Sequence, residues 1–190
     1  MTPELRAVVE ELDEHRRRFE QFCRSLSDEQ LDRPVPPSTW LVRDFIAHLA
    51  TIDGPVTEML RTIREGRDPG VRDGDGNRFD VDGWNDRQVE RRRSRSVEEL
   101  LAEAAERRAV LKEQLTALTA ENLASTMKFG GDSKRPPADI QLLRYLRGWC
   151  KHDPIHVADM LRALPEARIP EVEQWLDDPV IAGYQAMMNR

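Results

Sequence analysis

Four stretches of this chain place apolar residues at three- and four-residue steps, and that period commits most of the sequence to packed amphipathic helices. Leu5, Val8, Leu12, Phe19, Phe22 and Leu26 mark the first, from about Thr2 to Leu26, with Thr2 as its cap and Pro3 in its first turn. Leu41, Phe45, His48, Ile52, Met59 and Ile63 mark the second, which runs to about Glu65 and is expected to kink or break at Gly54-Pro55. Val97, Leu100, Leu101, Ala104, Leu111, Leu115 and Leu118 mark the third, opened by a capping box at Ser96 and Glu99. Leu142, Leu146, Trp149, His156, Met160 and Leu164 mark the fourth, from about Ala138 to Leu164, with Pro165 and Pro170 beyond it.

No segment alternates as a strand should, and no repeat period is present. The expected fold is all-α, with residues 1–165 forming a four-helix bundle. A short helical tail, 166–190, packs on the bundle or on a dimer partner. Asp178-Pro179 reads there as a cap and first-turn pair. The polar stretch from Gly66 to Gly83 is too long for a simple bundle connection and is expected to be a functional or mobile loop. Asp73, Asp75 and Asn77 sketch a calcium loop, but Arg78 and Trp84 occupy the positions that need Gly and Glu, so that reading fails. Trp84 to Arg93 reads as a short helix.

Charge narrows the partners. The formal net charge of -6 argues against a nucleic-acid surface. The run Arg91-Arg92-Arg93-Ser94-Arg95 is expected to be a solvated helix face beside Glu90, Glu98 and Glu99. No apolar run approaches the roughly 20 residues that span a bilayer, and the N-terminus lacks a signal-peptide pattern, so a cytoplasmic protein is expected. Two cysteines, Cys23 and Cys150, make no disulfide framework. The tail's Trp175, Leu176, Val180, Ile181, Tyr184, Met187 and Met188 suggest a homodimer.

The four histidines carry the chemistry. His152 and His156, four residues apart, share a helix face and can converge on one metal ion. His48 sits on the apolar stripe of the second helix, where an imidazole needs a reason, and a third ring facing the pair completes a three-nitrogen site with open positions. Pro154, between the pair, admits two readings. One starts a new helix there, with Asp153 as cap, and moves His152 off the face. The other keeps a kinked continuous helix, which the in-phase rhythm from Leu142 to Leu164 favours. His15 is expected at the surface or a boundary.

Two motifs extend this reading: Trp40-Leu41-Val42-Arg43-Asp44-Phe45-Ile46-Ala47-His48-Leu49-Ala50, and His152-Asp153-Pro154-Ile155-His156-Val157-Ala158-Asp159-Met160. With them, Phe79 to Arg92 and its Trp84-Asn85, the sequence resembles the DinB-like superfamily of metal-binding four-helix bundles over roughly Leu5 to Leu164. The resemblance implies one divalent ion, zinc or nickel foremost and iron or manganese as alternatives, held by His48, His152 and His156. It also implies a low-molecular-weight thiol such as mycothiol or bacillithiol as cosubstrate. Leu41 stands where relatives often carry a Ser cap, so capping is expected from Ser38 or Thr39. The chain is too short for the extra domain of mycothiol-dependent maleylpyruvate isomerase, so that reaction is not expected.

The leading expectation is a metal-dependent, thiol-dependent S-transferase or related detoxification enzyme, with Asn85, Arg87 and Arg91 as candidate substrate contacts. Alternatives on the same site are a metallohydrolase, with Asp44 or Asp159 as base or as a partner to a ligand, and a non-enzymatic small-molecule-binding or protective protein.

Overall fold

The computed structural model describes residues 1–67, 80–129, 131 and 136–188, with side chains through 186. The elements are α1 (Pro3–Arg24), α2 (Asp28–Leu31), α3 (Val42–Leu49), α4 (Asp53–Arg64), α5 (Val81–Glu90), α6 (Val97–Thr116) and α7 (Ala120–Ala124). There follow β1 (Thr126–Phe129), β2 (Ala138–Gln141), α8 (Leu142–Trp149), α9 (His152–Met160), a single 3-10 turn, α10 (Pro170–Leu176) and α11 (Pro179–Met188). The four expected rods are present as α1, α3–α4, α6 and α8–α9. Thr2 caps α1 through Leu5 N–H, and Ser96 and Glu99 form the expected reciprocal box at α6.

Three local expectations need correction. The second rod breaks at residues 50–52, before Gly54-Pro55; Pro55 then sits in the first turn of α4, where no donor is required. The cap of α3 comes neither from Ser38 nor from Thr39: Leu41 is the cap residue, and its N–H donates to the Asp44 carboxylate at 2.9 Å. An antiparallel hairpin joins β1 to β2 with Met127 opposite Ile140; four-residue strands are too short to show an alternation.

The rods run in an order that explains the long connection. Cys150 meets Val8 and Lys151 meets Glu11, so α8–α9 runs parallel to α1. Arg108 meets Asp53 and Gln114 meets Arg64, so α6 runs parallel to α4. Parallel neighbours need a crossover from one bundle end to the other. The chain between α4 and α6 makes it, and α5, lying on α3, is part of it. The part of this connection at 68–79 lies outside the described residues.

The bundle is divided by charge. Arg16, Asp53, Arg108 and Asp153, one from each rod, are all at most 5% exposed. Arg16 grips Asp153 side-on, Nη2 to Oδ1 at 3.0 Å and Nε to Oδ2 at 2.9 Å. Arg108 Nε meets Asp53 Oδ2 at 2.6 Å, its Nη2 lies 3.5 Å from Asp153 Oδ2, and its Nη1 donates to the Leu12 carbonyl at 2.9 Å. Burial alone lowers an arginine's pKa, yet Asp153 and Asp53 hold that of Arg108 above its ordinary value. On every rod this layer falls between two apolar clusters: Leu12 and Phe19 flank Arg16, Ala104 and Leu111 flank Arg108, Ala50 and Val56 flank Asp53, and Cys150 and Val157 flank Asp153.

The tail lies on its own bundle. Trp175 and Ile181 are buried, and Trp175 Nε1 donates to His15 Nδ1 at 2.8 Å. Asp178 accepts from Val180 N–H as the expected cap. Of the residues behind the homodimer expectation, Trp175 and Ile181 are covered within the chain and Val180 is 49% exposed, while the side chains of Met187 and Met188 lie outside those described. The arginine run also departs from a uniformly solvated face. Arg92 is buried and forked onto Glu103, whose carboxyl is drawn down to about 2, chiefly by Arg92's hydrogen bonds. No described helix is long and apolar enough to cross a membrane.

Arg108→Ala leaves two buried carboxylates to share one guanidinium and is expected to cost about 3–5 kcal/mol in a urea titration. His15 yields a pH prediction. Burial, then the Lys151 charge, lowers its pKa against the pull of Glu11. Since the folded pKa lies below the unfolded one, the stability from the neutral ring is complete above roughly pH 6.5 and lost as pH falls through the folded value. Wild type should therefore lose stability relative to His15→Gln as pH falls from about 7.5 through the ring's lowered folded pKa.

Candidate metal centre

His48 ends the last turn of α3, and the His152 and His156 rings reach it from α9. One ring nitrogen from each lies within 4.8 Å of the other two, and the Nε2 atoms of His48 and His152 are 3.3 Å apart. Two nitrogens bound at about 2.05 Å to a tetrahedral ion are themselves about 3.3 Å apart, so this edge already has the spacing of a metal site. The His156 ring meets those of His48 and His152 edge-on, at 4.9 and 4.7 Å between centroids. His48 is buried, while His152 and His156 are half-buried, so the accessible surface of the cluster lies chiefly on the two α9 histidines.

Both readings of Pro154 need revision. A new helix does start, but with Lys151 as cap, His152 first and Pro154 third, so the missing proline N–H costs nothing. Cys150 and Lys151 stay near helical geometry, and His152 keeps its place on the face of His156. Asp153 caps nothing; it enters the buried charge layer, where Arg16 grips it.

Neighbours fix each ring. His156 Nδ1–H donates to Asp159 Oδ2 at 3.1 Å, which leaves Nε2 for an ion, the usual arrangement of a ligating histidine. His152 stacks on Trp149, with centroids 4.5 Å apart and planes 19° apart, and Trp149 Nε1 reaches Asp53 Oδ1 at 3.4 Å. The charge layer thus touches the site through one indole. Trp40 lies 5.3 Å from the His48 ring and donates its N–H to Asp86 of α5 at 2.8 Å. Phe45 closes on His156 at 5.6 Å.

The structure separates the other candidates. Asn85 lies on the half-buried side of α5; its Oδ1 is buried and has no hydrogen-bond partner among the described residues. Arg87 and Arg91 are exposed and turned away from that side. His15 takes no part in the cluster and instead accepts from Trp175. Sequence reasoning missed Trp149 as a support for His152, and it missed the charge layer. Arg16 and Arg108 stand four residues after Leu12 and Ala104 on apolar stripes, a signal that could have exposed both.

The four rods give the chain the fold of the DinB-like four-helix bundles. Within it, the chain belongs to the family described as the mycothiol maleylpyruvate isomerase N-terminal domain, whose model matches residues 12–153 and so spans His48 and His152. One similar solved structure is YfiT from Bacillus subtilis, described as a probable metal-dependent hydrolase with an unusual four-helix bundle topology. It has a TM-score of 0.69 and 18% identity over 87% of this chain and 89% of that one. Another is a mycothiol-dependent maleylpyruvate isomerase, with a TM-score of 0.61 and 10% identity over 84% of this chain and 63% of that one. No curated protein sequence matches the chain.

The donor set, three imidazole nitrogens within 4.8 Å of one another with one edge at 3.3 Å, fits a divalent first-row ion such as zinc or nickel. Elemental analysis should find close to one such ion per purified chain, lost in His48→Ala and in His156→Ala. Retention in both variants would contradict the site.

Proposed function

We propose that this protein is a divalent-metal-dependent, thiol-dependent S-transferase or a related detoxification enzyme, with His48, His152 and His156 as the metal ligands. The observation that carries the reading is the three-imidazole cluster combined with the commitment of the carboxylates nearest to it. A hydrolase that activates water by proton abstraction needs a general base free to take that proton. Asp44 is 1% exposed and accepts from Leu41 N–H, and Asp159 is 4% exposed and accepts from His156. Among the described residues, both of these carboxylates are thus buried and already engaged.

A thiol bound as a ligand has less need of a base than a bound water, because its pKa starts at about 8.5 and that of water at about 15.7. When bound, the metal lowers the pKa of a coordinating thiol towards neutrality. The protein's own thiols are unsuited to the role. Burial pushes Cys150 up to about 12 and Cys23 well above the ordinary thiol range. An external thiol such as mycothiol or bacillithiol is therefore the cosubstrate of this proposal. His48 forms the closed wall of the site, His156 is held in one tautomer by Asp159, and the accessible side of His152 and His156 admits the thiol and an electrophile. Asn85 is the substrate contact of this proposal, a role in which its buried amide turns outward to meet the substrate; Arg87 and Arg91, both exposed, are the other candidates.

The test loads the protein with zinc or nickel and supplies mycothiol, bacillithiol or a simpler thiol with a generic electrophile. Turnover is expected with at least one thiol and is expected to fall to the background rate in His48→Ala and His156→Ala. Ester or amide hydrolysis without thiol would favour the hydrolase that the description of YfiT suggests. Saturable ligand binding without turnover would favour a binding or protective protein.

A further inference from the structure

The tail helix α11 reaches the histidine cluster through two residues. Gln185 Nε2 donates to Asp159 Oδ1 at 3.0 Å, and Asp159 accepts on its other oxygen from His156 Nδ1–H. Arg162 completes the knot: its Nη2 donates to Gln185 Oε1 at 2.6 Å and lies 3.2 Å from Asp159 Oδ1. Asp159 is 4% exposed, so each of its oxygens depends on these partners and little on water. The helix that brings Gln185 here is anchored on the bundle by buried Ile181 and by Asp178, which pairs with Lys151 at 2.8 Å. Lys151 is in turn the residue before His152. The family match ends at 153, so α11 and Gln185 lie outside it.

We infer that Gln185 is a positioning residue for the metal centre: the docked tail helix fixes the Asp159 carboxylate, and through it the tautomer and orientation of His156. A carboxylate behind a ligating imidazole holds the proton on the far nitrogen and raises the basicity of the near one. It does so only if it is itself held in line. Gln185 and Arg162 both act on Oδ1, and Gln185 also accepts from Arg162 Nη2, so the amide ties the guanidinium and the carboxylate into one arrangement. The tail is therefore part of the site without touching the ion.

This rests on the three-histidine reading, and the test separates the two. Gln185→Met keeps the length and apolar stem of the side chain and removes its polar atoms. Asp159→Asn removes the acceptor charge itself, and Val180→Gln alters an exposed position of the same helix. Zinc affinity is measured by chelator competition. The imidazole nitrogen shifts of His156 are recorded on metal-free protein, with thermal unfolding as the check that the tail stays docked. Asp159→Asn is expected to weaken zinc binding by roughly 10–100-fold, and Gln185→Met by at least about threefold. Both should raise the share of the Nε2–H tautomer of His156 in metal-free protein, while Val180→Gln matches wild type. Gln185→Met with wild-type zinc affinity and wild-type nitrogen shifts would overturn the inference. Wild-type protein that takes up no metal would count against the metal site alone, since the shifts of metal-free His156 still decide for or against Gln185.

Discussion

The layer of Arg16, Asp53, Arg108 and Asp153 fixes how the four rods register against one another. An apolar stripe tolerates a slip of a turn at modest cost, because one leucine replaces another. Two buried guanidinium–carboxylate pairs do not, since any slip strands a charge in the core. The four charges cancel, and each carboxylate stands in the first turn of its helix, Asp53 at the start of α4 and Asp153 near the start of α9, where the helix dipole favours it. The breaks between α3 and α4 and between α8 and α9 are what turn these two helix starts inward. The histidines sit beside the same breaks, so the feature that registers the bundle also brings His48 and His152 face to face.

This arrangement gives a physical account of prolines that look disruptive in the sequence. Pro55 and Pro154 both fall in the third position of a new helix, where the backbone donor has no partner to lose. Each marks a helix start a few residues upstream of itself. A break at that place lets α9 present His152 and His156 on one face while Asp153 points into the charge layer. A straight helix through Pro154 would lack the hydrogen bond from residue 154 to the Cys150 carbonyl and gain nothing in exchange.

The rods were legible because their apolar periods are long, and the three histidines were legible because two shared a helical face and the third interrupted an apolar stripe. Less was legible where structure depends on distant residues. The crossover between α4 and α6 reads as a long polar loop, because a sequence does not show that the two rods run parallel. The hairpin is too short to alternate. Arg92 reads as one of a solvated run, and only its pairing with Glu103 turns it inward. Gln185 carries no local signal, since its partner Asp159 is 26 residues away on another helix. Asp44 and Asp159 read equally as bases, as partners to a ligand or as solvated charges, and the structure buries both, Asp44 accepting from Leu41 N–H and Asp159 from His156.

The account centres on three imidazoles brought together by two broken helices, and X-ray absorption of the zinc-loaded protein addresses that most directly. The predicted spectrum shows three imidazole nitrogens at about 2.0–2.1 Å, with the multiple scattering of histidine rings and a lighter ligand in the remaining position. A shell of carboxylate oxygens without imidazole scattering, or one that includes a protein sulfur at about 2.3 Å, would contradict it.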